Sequence, residues 1–277
     1  MLTQAETAAA FAELHQRPGT FIIPNPWDVG SAILLAQAGF EALATSSAGY
    51  AFSIGKSDGN VGRDETLAHA AEVVAATGLP VSIDLENGFG DAPENAAETI
   101  RLAAQTGAVG GSIEDRTKNA DAPIYERAVA AERIRAAAEV VRSLPFPFML
   151  TARAENYLVG KADLKDTIER LQMYQEAGAN VLYAPGLTSR DEIATLVKSV
   201  DRPVNVLMGI KGVQFTLADL SEMGVRRISV GSTLARCAIG ALLRAANEMK
   251  DRGTFGFIEE AADSRMINSI FDSWPIR

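Results

Sequence analysis

Cysteine and histidine are nearly absent from this chain, with one Cys, at position 237, and two His, at 15 and 69, in 277 residues. A lone cysteine excludes an intramolecular disulfide and any multi-cysteine zinc or iron–sulfur centre. Two histidines exclude a three-histidine metal site and argue against a histidine-based triad. Positive charge is also in deficit: 26 Lys and Arg stand against 35 Asp and Glu, a net charge of −9. The broad basic field that a nucleic-acid backbone requires is therefore missing. No run approaches the ~18 apolar residues of a membrane span. The start, MLTQAETAAAFAELHQ, reads as an amphipathic helix, not as a basic segment followed by an apolar core. The expectation is a soluble, cytoplasmic protein whose partner is a small molecule, not nucleic acid or membrane. What is plentiful is apolar surface: 47% of residues are hydrophobic and 22% charged, enough to bury a large core.

Short apolar runs bounded by Gly or Pro alternate with Ala-rich segments of helical period from end to end. Eight runs read as strands: 20–25, 41–46, 80–86, 108–115, 147–155, 179–185, 202–208 and 225–231. Gly39, Gly78, Gly107, Gly178 and Gly224 each stand between a helical stretch and the next strand, where a left-handed C-cap is needed. Eight strand–helix units in this length predict a single α/β domain over 1–277, a closed (β/α)8 TIM-type barrel. A doubly wound open sheet is the alternative, but no G-x-G-x-x-G or G-x-x-x-x-G-K-[ST] stands in the required place. Residues 252–277 are helical surplus, expected to cover the barrel floor or to reach a neighbouring subunit.

Catalytic groups of such a barrel sit where the strands end. On the third strand Ser82, Asp84 and Glu86 share one face and Val81, Ile83 and Leu85 the other. On the fourth, Ser112 and Glu114 fall together; on the fifth, Thr151, Arg153 and Glu155 do. Three adjacent strands thus bring Asp84, Glu86, Glu114 and Arg153 to one rim. Buried carboxylates cost several kcal/mol unless compensated. A hard divalent cation, Mg2+ or Mn2+, would relieve a rim where carboxylates outnumber cations, and Arg153 would pair with a substrate carboxylate. A plain salt-bridge cluster around Arg153 and Glu155 is the alternative.

Weaker signals surround that rim. Ser46-Ser47-Ala48-Gly49 offers either backbone N–H groups to an oxyanion or a turn of small residues. Gly231-Ser232 resembles a barrel phosphate site, though Ser232 serves equally as a helix N-cap. Lys211 faces either a phosphate or solvent. No lysine lies in the inward-facing strand cores, which argues against Schiff-base chemistry. Cys237 and His69 read as structural groups in helices, and Trp27 and Trp274 as packing anchors.

The stretch DLENGFG at 84–90 resembles the D-x-D-x-G-[YF]-G motif of the isocitrate lyase/phosphoenolpyruvate mutase superfamily. TSSAGYAFSIGKSDG at 45–59, SIEDRTK at 112–118, TARAEN at 151–156 and RPVNVL…GVRRISVGSTLAR resemble further motifs in the same order, over about residues 20–245. The resemblance implies a (β/α)8 barrel whose last helix swaps between subunits, giving homodimers or homotetramers, and a Mg2+-stabilised pyruvate enolate as shared intermediate. It implies Asp84 as principal metal carboxylate, with Asp58, Glu86 and Glu114 holding metal-bound waters. Ser46, the backbone of Ser47 and Ala48, Arg153, and Asn205 within RPVNVL become the substrate contacts. Glu86 replaces the usual aspartate and adds one methylene of reach.

The departures narrow the reaction. Isocitrate and methylisocitrate lyases of the superfamily carry a K-[KR]-C-G-H loop after the fourth strand; here EDRTKNADAPIYE has neither Cys nor His. The P–C bond enzymes use a longer gating loop with a Lys and an Asn, for which Lys118 and Asn119 are candidates. They also place a histidine after the sixth strand, where this chain has Ala184-Pro185-Gly186. The expectation is therefore a Mg2+-dependent lyase acting on a small 2-oxo or 2-hydroxy dicarboxylic acid, like an oxaloacetate decarboxylase. Tyr50 or a metal-bound water would return the proton. The alternatives are a phosphoenolpyruvate mutase or phosphonopyruvate hydrolase-like enzyme, and a barrel that binds a carboxylate without turnover.

Overall fold

Each of the eight apolar runs becomes a strand, trimmed at both ends. The computed structural model describes residues 2–275; residues 1, 276 and 277, which the single-domain reading also takes in, lie outside the described residues. The strands are β1 (Phe21–Ile22), β2 (Leu43–Ala44), β3 (Val81–Asp84), β4 (Gly110–Glu114), β5 (Met149–Arg153), β6 (Val181–Tyr183), β7 (Val204–Leu207) and β8 (Arg227–Ser229). Their helices are α1 (Gln4–Gln16), α2 (Val29–Gln37), α3 (Ser47–Ser53), α4 (Arg63–Thr77), α5 (Pro93–Gln105), α6 (Arg127–Ser143), α7 (Leu164–Ala177), α8 (Arg190–Lys198), α9 (Leu217–Glu222), α10 (Thr233–Arg252) and α11 (Ser264–Ser273).

All strands are parallel, in the order β1-β8-β7-β6-β5-β4-β3-β2. The remaining seam, between β1 and β2, is bridged by Ala44 N–H to Pro24 O at 3.0 Å and Asn25 Nδ2 to Thr45 O at 3.1 Å. The chain is thus an α/β barrel of the TIM type. The five glycines preceding strands all have positive φ. At Gly178, with φ +113°, an added Cβ would also meet Ala138 Cβ at 2.8 Å, so conformation and space both require glycine.

Outward-facing Ile83, Leu85, Ile113 and Leu150 pack under helices whose inner faces are lined by alanine, including Ala96, Ala103, Ala130 and Ala137. Small side chains let α5 and α6 lie close against each other and the sheet. The barrel floor is closed by α1, which drives Phe11 and Leu14 against Val109, Met149 and Val181. Burying a residue like Phe11 stabilises the plug by about 1.5–3 kcal/mol. The C-terminal segment does not cover the floor: α11 lies against α2, with Phe271 beside Gly30 and the Trp274 indole N–H on Ala76 O at 2.7 Å. Among the described residues no helix is long and apolar enough to cross a membrane.

Register decides what the barrel interior contains. One row of cross-strand partners runs Glu114, Arg153, Tyr183, Asn205, Arg227, Phe21. Because barrel strands are staggered, this row descends from the catalytic rim to the α1 plug. Polar side chains therefore occupy a channel that many barrels fill with branched apolar residues.

Candidate active site

The turn after β3 supplies the acidic end of the site. Glu86 and Phe89 both sit at positive φ, +47° and +60°, which costs a residue with a Cβ about 1–2 kcal/mol. Hydrogen bonds hold the turn: Gly88 N–H to Leu85 O, Phe89 N–H to Asn87 Oδ1, and the buried Arg133 guanidinium to the carbonyls of Asn87, Gly90 and Asp91. The strained backbone re-aims the Glu86 side chain back to the rim beside Asp84.

Asp84 Oδ2 accepts from Ser47 N–H at 3.1 Å and from Ser47 Oγ at 2.9 Å. The Ser47 hydroxyl is also 3.5 Å from Asp58 Oδ1. Arg153 reaches Glu114 Oε2 at 3.1 Å, Asp84 Oδ1 at 3.7 Å, and Glu155 Oε1 through its Nε. Glu155 is fully enclosed. The metal-ligand candidates and the salt-bridge alternative are thus both present in one cluster, with Arg153 at its centre. One arginine cannot neutralise four carboxylates. Glu86 Oε1 and Glu155 Oε2 are buried with no hydrogen-bond partner. Burial, then the charges of Asp84 and Asp58, push the Glu86 carboxyl up to about 7, against the opposing pull of Lys118 and Arg153. Burial also pushes the Glu114 and Glu155 carboxyls up, with Arg153 the largest opposing influence on each. Among the described residues no three His, Cys, Asp or Glu side chains converge as a direct metal cage.

Two connected spaces open here. An outer cleft of about 630 Å³ is lined by Asp58, Glu86, Glu114, Lys118, Asn119 and Arg153. An inner chamber of about 200 Å³ runs down the barrel axis past Ser46, Ala48, Asp84, Tyr183, Asn205 and Arg227. Ser47, Asp58 and Arg153 line both. Lys118 and Asn119 reach the cleft from a folded loop. Arg116 pairs with Ile124, and Thr117 bonds Pro123 O by its N–H and Ala122 O by its hydroxyl. The base of that loop is clamped by Asp115, which accepts from Glu155 N–H at 2.8 Å, Tyr174 Oη at 2.6 Å and Arg170 at 3.2 Å. Arg170 also holds Tyr125 O at 2.8 Å.

Several sequence-selected groups lie elsewhere or are already engaged. Tyr50 does not line either space; its ring is stacked on His69, centroids 3.9 Å apart, and His69 Nε2 is 3.1 Å from Trp27 O. The α3 helix starts at Ser47, so Tyr50 turns outward while Ser46 stays over the chamber. Ser46 Oγ caps that helix through Gly49 N–H, and Ser47 N–H already serves Asp84. The amides of Val230 and Gly231 both donate to Asn25 Oδ1, so these two N–H groups of the turn after β8 are already engaged. Ser232 stands at the N-cap of α10 without a side-chain capping bond and lines the inner chamber instead. Lys211 is exposed and lines neither space. Sequence reasoning missed Asp115, Arg170, Tyr183 and Arg227. For the last two, strand alternation was the available signal.

The phosphoenolpyruvate phosphomutase family model matches residues 11–250. A crystal structure of a candidate lyase/mutase from Burkholderia cenocepacia J2315 is 62% identical and superposes with a TM-score of 0.95, covering 98% of this chain and 97% of its own. An uncharacterised protein of Mycobacterium tuberculosis is 34% identical over 244 residues, 87% of this chain and 89% of that protein. The 2-methylisocitrate lyase of Halalkalibacterium halodurans is 28% identical over 257 residues, 91% and 85% of the two chains. Phosphonopyruvate hydrolase, solved with oxalate and Mg2+, shares the fold at 22% identity, with a TM-score of 0.84 over 98% of this chain and 95% of its own.

Proposed function

The chain belongs to the phosphoenolpyruvate phosphomutase family, and from that premise we propose that it is a Mg2+-dependent lyase. It cleaves a C–C bond of a small 2-oxo or 2-hydroxy dicarboxylic acid through a pyruvate enolate, as in the decarboxylation of oxaloacetate. Relatives with assigned activities are lyases and mutases, which leaves C–C and P–C chemistry to be separated. The observation that carries the lyase reading is the cleft itself. Its loop, 116–124, brings no Cys or His to the substrate, so cleavage has to run on charge stabilisation alone.

The residues present fit a hard divalent cation. All rim donors are oxygens, the carboxylates exceed the cations, and Glu86 Oε1 is buried without a partner. Asp84 would hold the ion directly, and Asp58, Glu86 and Glu114 through water; Mn2+ would fit the same donors. Bound there, the cation supplies Lewis-acid stabilisation of the 2-oxo oxygen. Arg153 orients a substrate carboxylate with its fork, while Ser46, Ser47, Ala48 and Asn205 offer polar contacts around the 2-oxo end. When the C–C bond of a 2-oxo diacid breaks, the electron pair stays on the enolate and CO2 leaves.

The test is turnover of oxaloacetate, isocitrate, 2-methylisocitrate, 2,3-dimethylmalate and phosphonopyruvate, each with Mg2+ and with EDTA. Metal-dependent loss of a diacid well above the metal's own rate is expected. Turnover of phosphonopyruvate alone would install the P–C reading, which the position of Lys118 and Asn119 at the cleft mouth favours. Binding of oxalate with no turnover would leave a carboxylate-binding barrel. Asp84→Ala isolates the metal: Mg2+-dependent oxalate binding should disappear, and unchanged affinity with and without Mg2+ would remove the metal-centred reading.

The same reading makes the protein a cytoplasmic homodimer or homotetramer of single-domain subunits. Of α10 only Ala235 is buried, while Leu242 and Leu243 are 67% and 57% exposed. A second copy that exchanges α10 would cover them. Light scattering of the purified chain is expected to give a dimer or tetramer, and a monomer at micromolar concentration would refute the exchange.

A further inference from the structure

A lyase that leaves an enolate must also return a proton, and the loop residues and Tyr50 do not provide it. We propose that Tyr183 is the general acid of this barrel, delivering its phenolic proton to the methylene carbon of the pyruvate enolate; the inference rests on the lyase reading above. Tyr183 ends β6 and lines the inner chamber together with Ser46, Asp84 and Arg153. The Arg153 guanidinium lies over its ring, 5.4 Å from the centroid.

Hydrogen-bond polarity orders the polar row that continues from Tyr183. Arg227 can only donate. Its Nε–H goes to Asn205 Oδ1 at 2.9 Å, which sets the Asn205 amide so that Nδ2 donates to Ser229 Oγ at 2.9 Å. Ser229 thus receives at its oxygen, and it lines the same chamber as Tyr183. The start of this chain is held firmly. Arg227 also donates to Thr151 Oγ1 at 3.0 Å and sits 3.4 Å from His15 Nε2. His15 uses Nδ1–H on Phe11 O at 2.8 Å, so Nε2 carries the lone pair. Among the described residues no carboxylate pairs with Arg227. The guanidinium is retained in the barrel as the donor that orders Asn205 and Ser229.

The chemistry balances within the site. The Tyr183 O–H bond breaks as a C–H bond forms with the enolate electron pair, and the phenolate lies beside the Arg153 charge. After product leaves, water returns a proton to the oxygen. Burial holds the phenol up to about 12, so the acid is loaded throughout the neutral range.

Tyr183→Phe removes only the hydroxyl and keeps the buried ring. The readout is exchange of pyruvate methyl protons for deuterium in D2O with Mg2+, followed by NMR, beside calorimetric binding of oxalate with Mg2+. Wild type should exchange, the variant should be at least ~100-fold slower, and oxalate affinity should stay within threefold. Exchange by Tyr183→Phe within threefold of wild type overturns the assignment of Tyr183 and leaves the lyase reading standing. Loss of oxalate binding in the variant overturns it too, since the phenol would then be a binding group. A wild type inert both in exchange and toward every diacid overturns the lyase reading and this inference together.

Discussion

Replacing Arg153 by Met removes the one cation that, among the described residues, contacts Glu114, Glu155 and Asp84. Glu155 is fully enclosed and already has one oxygen without a partner, so nothing else takes over. Stranding a buried carboxylate costs about 3–5 kcal/mol. The chain can limit that cost by protonating the group. From an ordinary glutamate value of 4.5, protonation costs about 3.4 kcal/mol per carboxyl at pH 7 and about 1.4 at pH 5.5. Glu114 and Glu155 are already pushed up by burial in the wild type, and without Arg153 they rise further. Between 4.5 and that raised value the folded state keeps protons that the unfolded state has released, so stability falls as pH rises. Urea unfolding should therefore show a loss of about 3–5 kcal/mol at pH 7, shrinking to about 2 kcal/mol or less at pH 5.5. Adding Glu155→Gln to Arg153→Met should recover at least ~1 kcal/mol at pH 7. A loss below ~1 kcal/mol at pH 7, or an equal loss at both pH values, would refute the view that Arg153 offsets the burial of these carboxylates.

Two further predictions use the groups around that cluster. His15 is enclosed between Phe11, Phe21 and Arg227, and burial, then the Arg227 charge, depresses it to about 3. The unfolded state takes up its proton near 6.5 and the folded state does not until about 3, so stability should drop as pH falls through that window, by up to about 4–5 kcal/mol. His15→Gln should flatten the acid limb of the urea midpoint against pH, and superimposable limbs would show that His15 does not create it. Arg170→Met unclamps Asp115 from Tyr125 at the base of the cleft loop. It should cost about 3–5 kcal/mol and raise amide exchange in 116–126 more than in β5, whereas unchanged loop exchange would make Arg170 a core ion pair only.

The rim was legible in the sequence because strand alternation is a strict rule over a few residues. Ser82 and Asp84, or Thr151 and Arg153, declare a shared face by spacing alone, and the registers Asp84↔Ser112 and Glu114↔Arg153 bring those faces together, while Glu86 returns to the rim only through the left-handed turn after β3. Tyr50 shows where the rule lapses. It is near Ser46 in the chain, but the helix that starts at Ser47 rotates each residue about 100° from the last, and Tyr50 ends on His69. The chamber was harder for a different reason. Tyr183, Asn205 and Arg227 stand on strands of three or four residues, one polar side chain to a strand at that level, so alternation gives each only a weak signal, and Asn205 stood out through the RPVNVL resemblance alone. Only the pairing of β6 with β7 and of β7 with β8 turns three isolated residues into one row. That row has a direction because it begins at a side chain that cannot accept a hydrogen bond. Reversing Asn205 would set its Nδ2 against the Arg227 Nε–H, two donors facing in a closed channel, and would strip Ser229 of the bond it receives. The orientation of the Asn205 amide, and with it the bond that Ser229 receives, is therefore a consequence of an arginine on the neighbouring strand, which is why it follows from the fold and from no stretch of sequence.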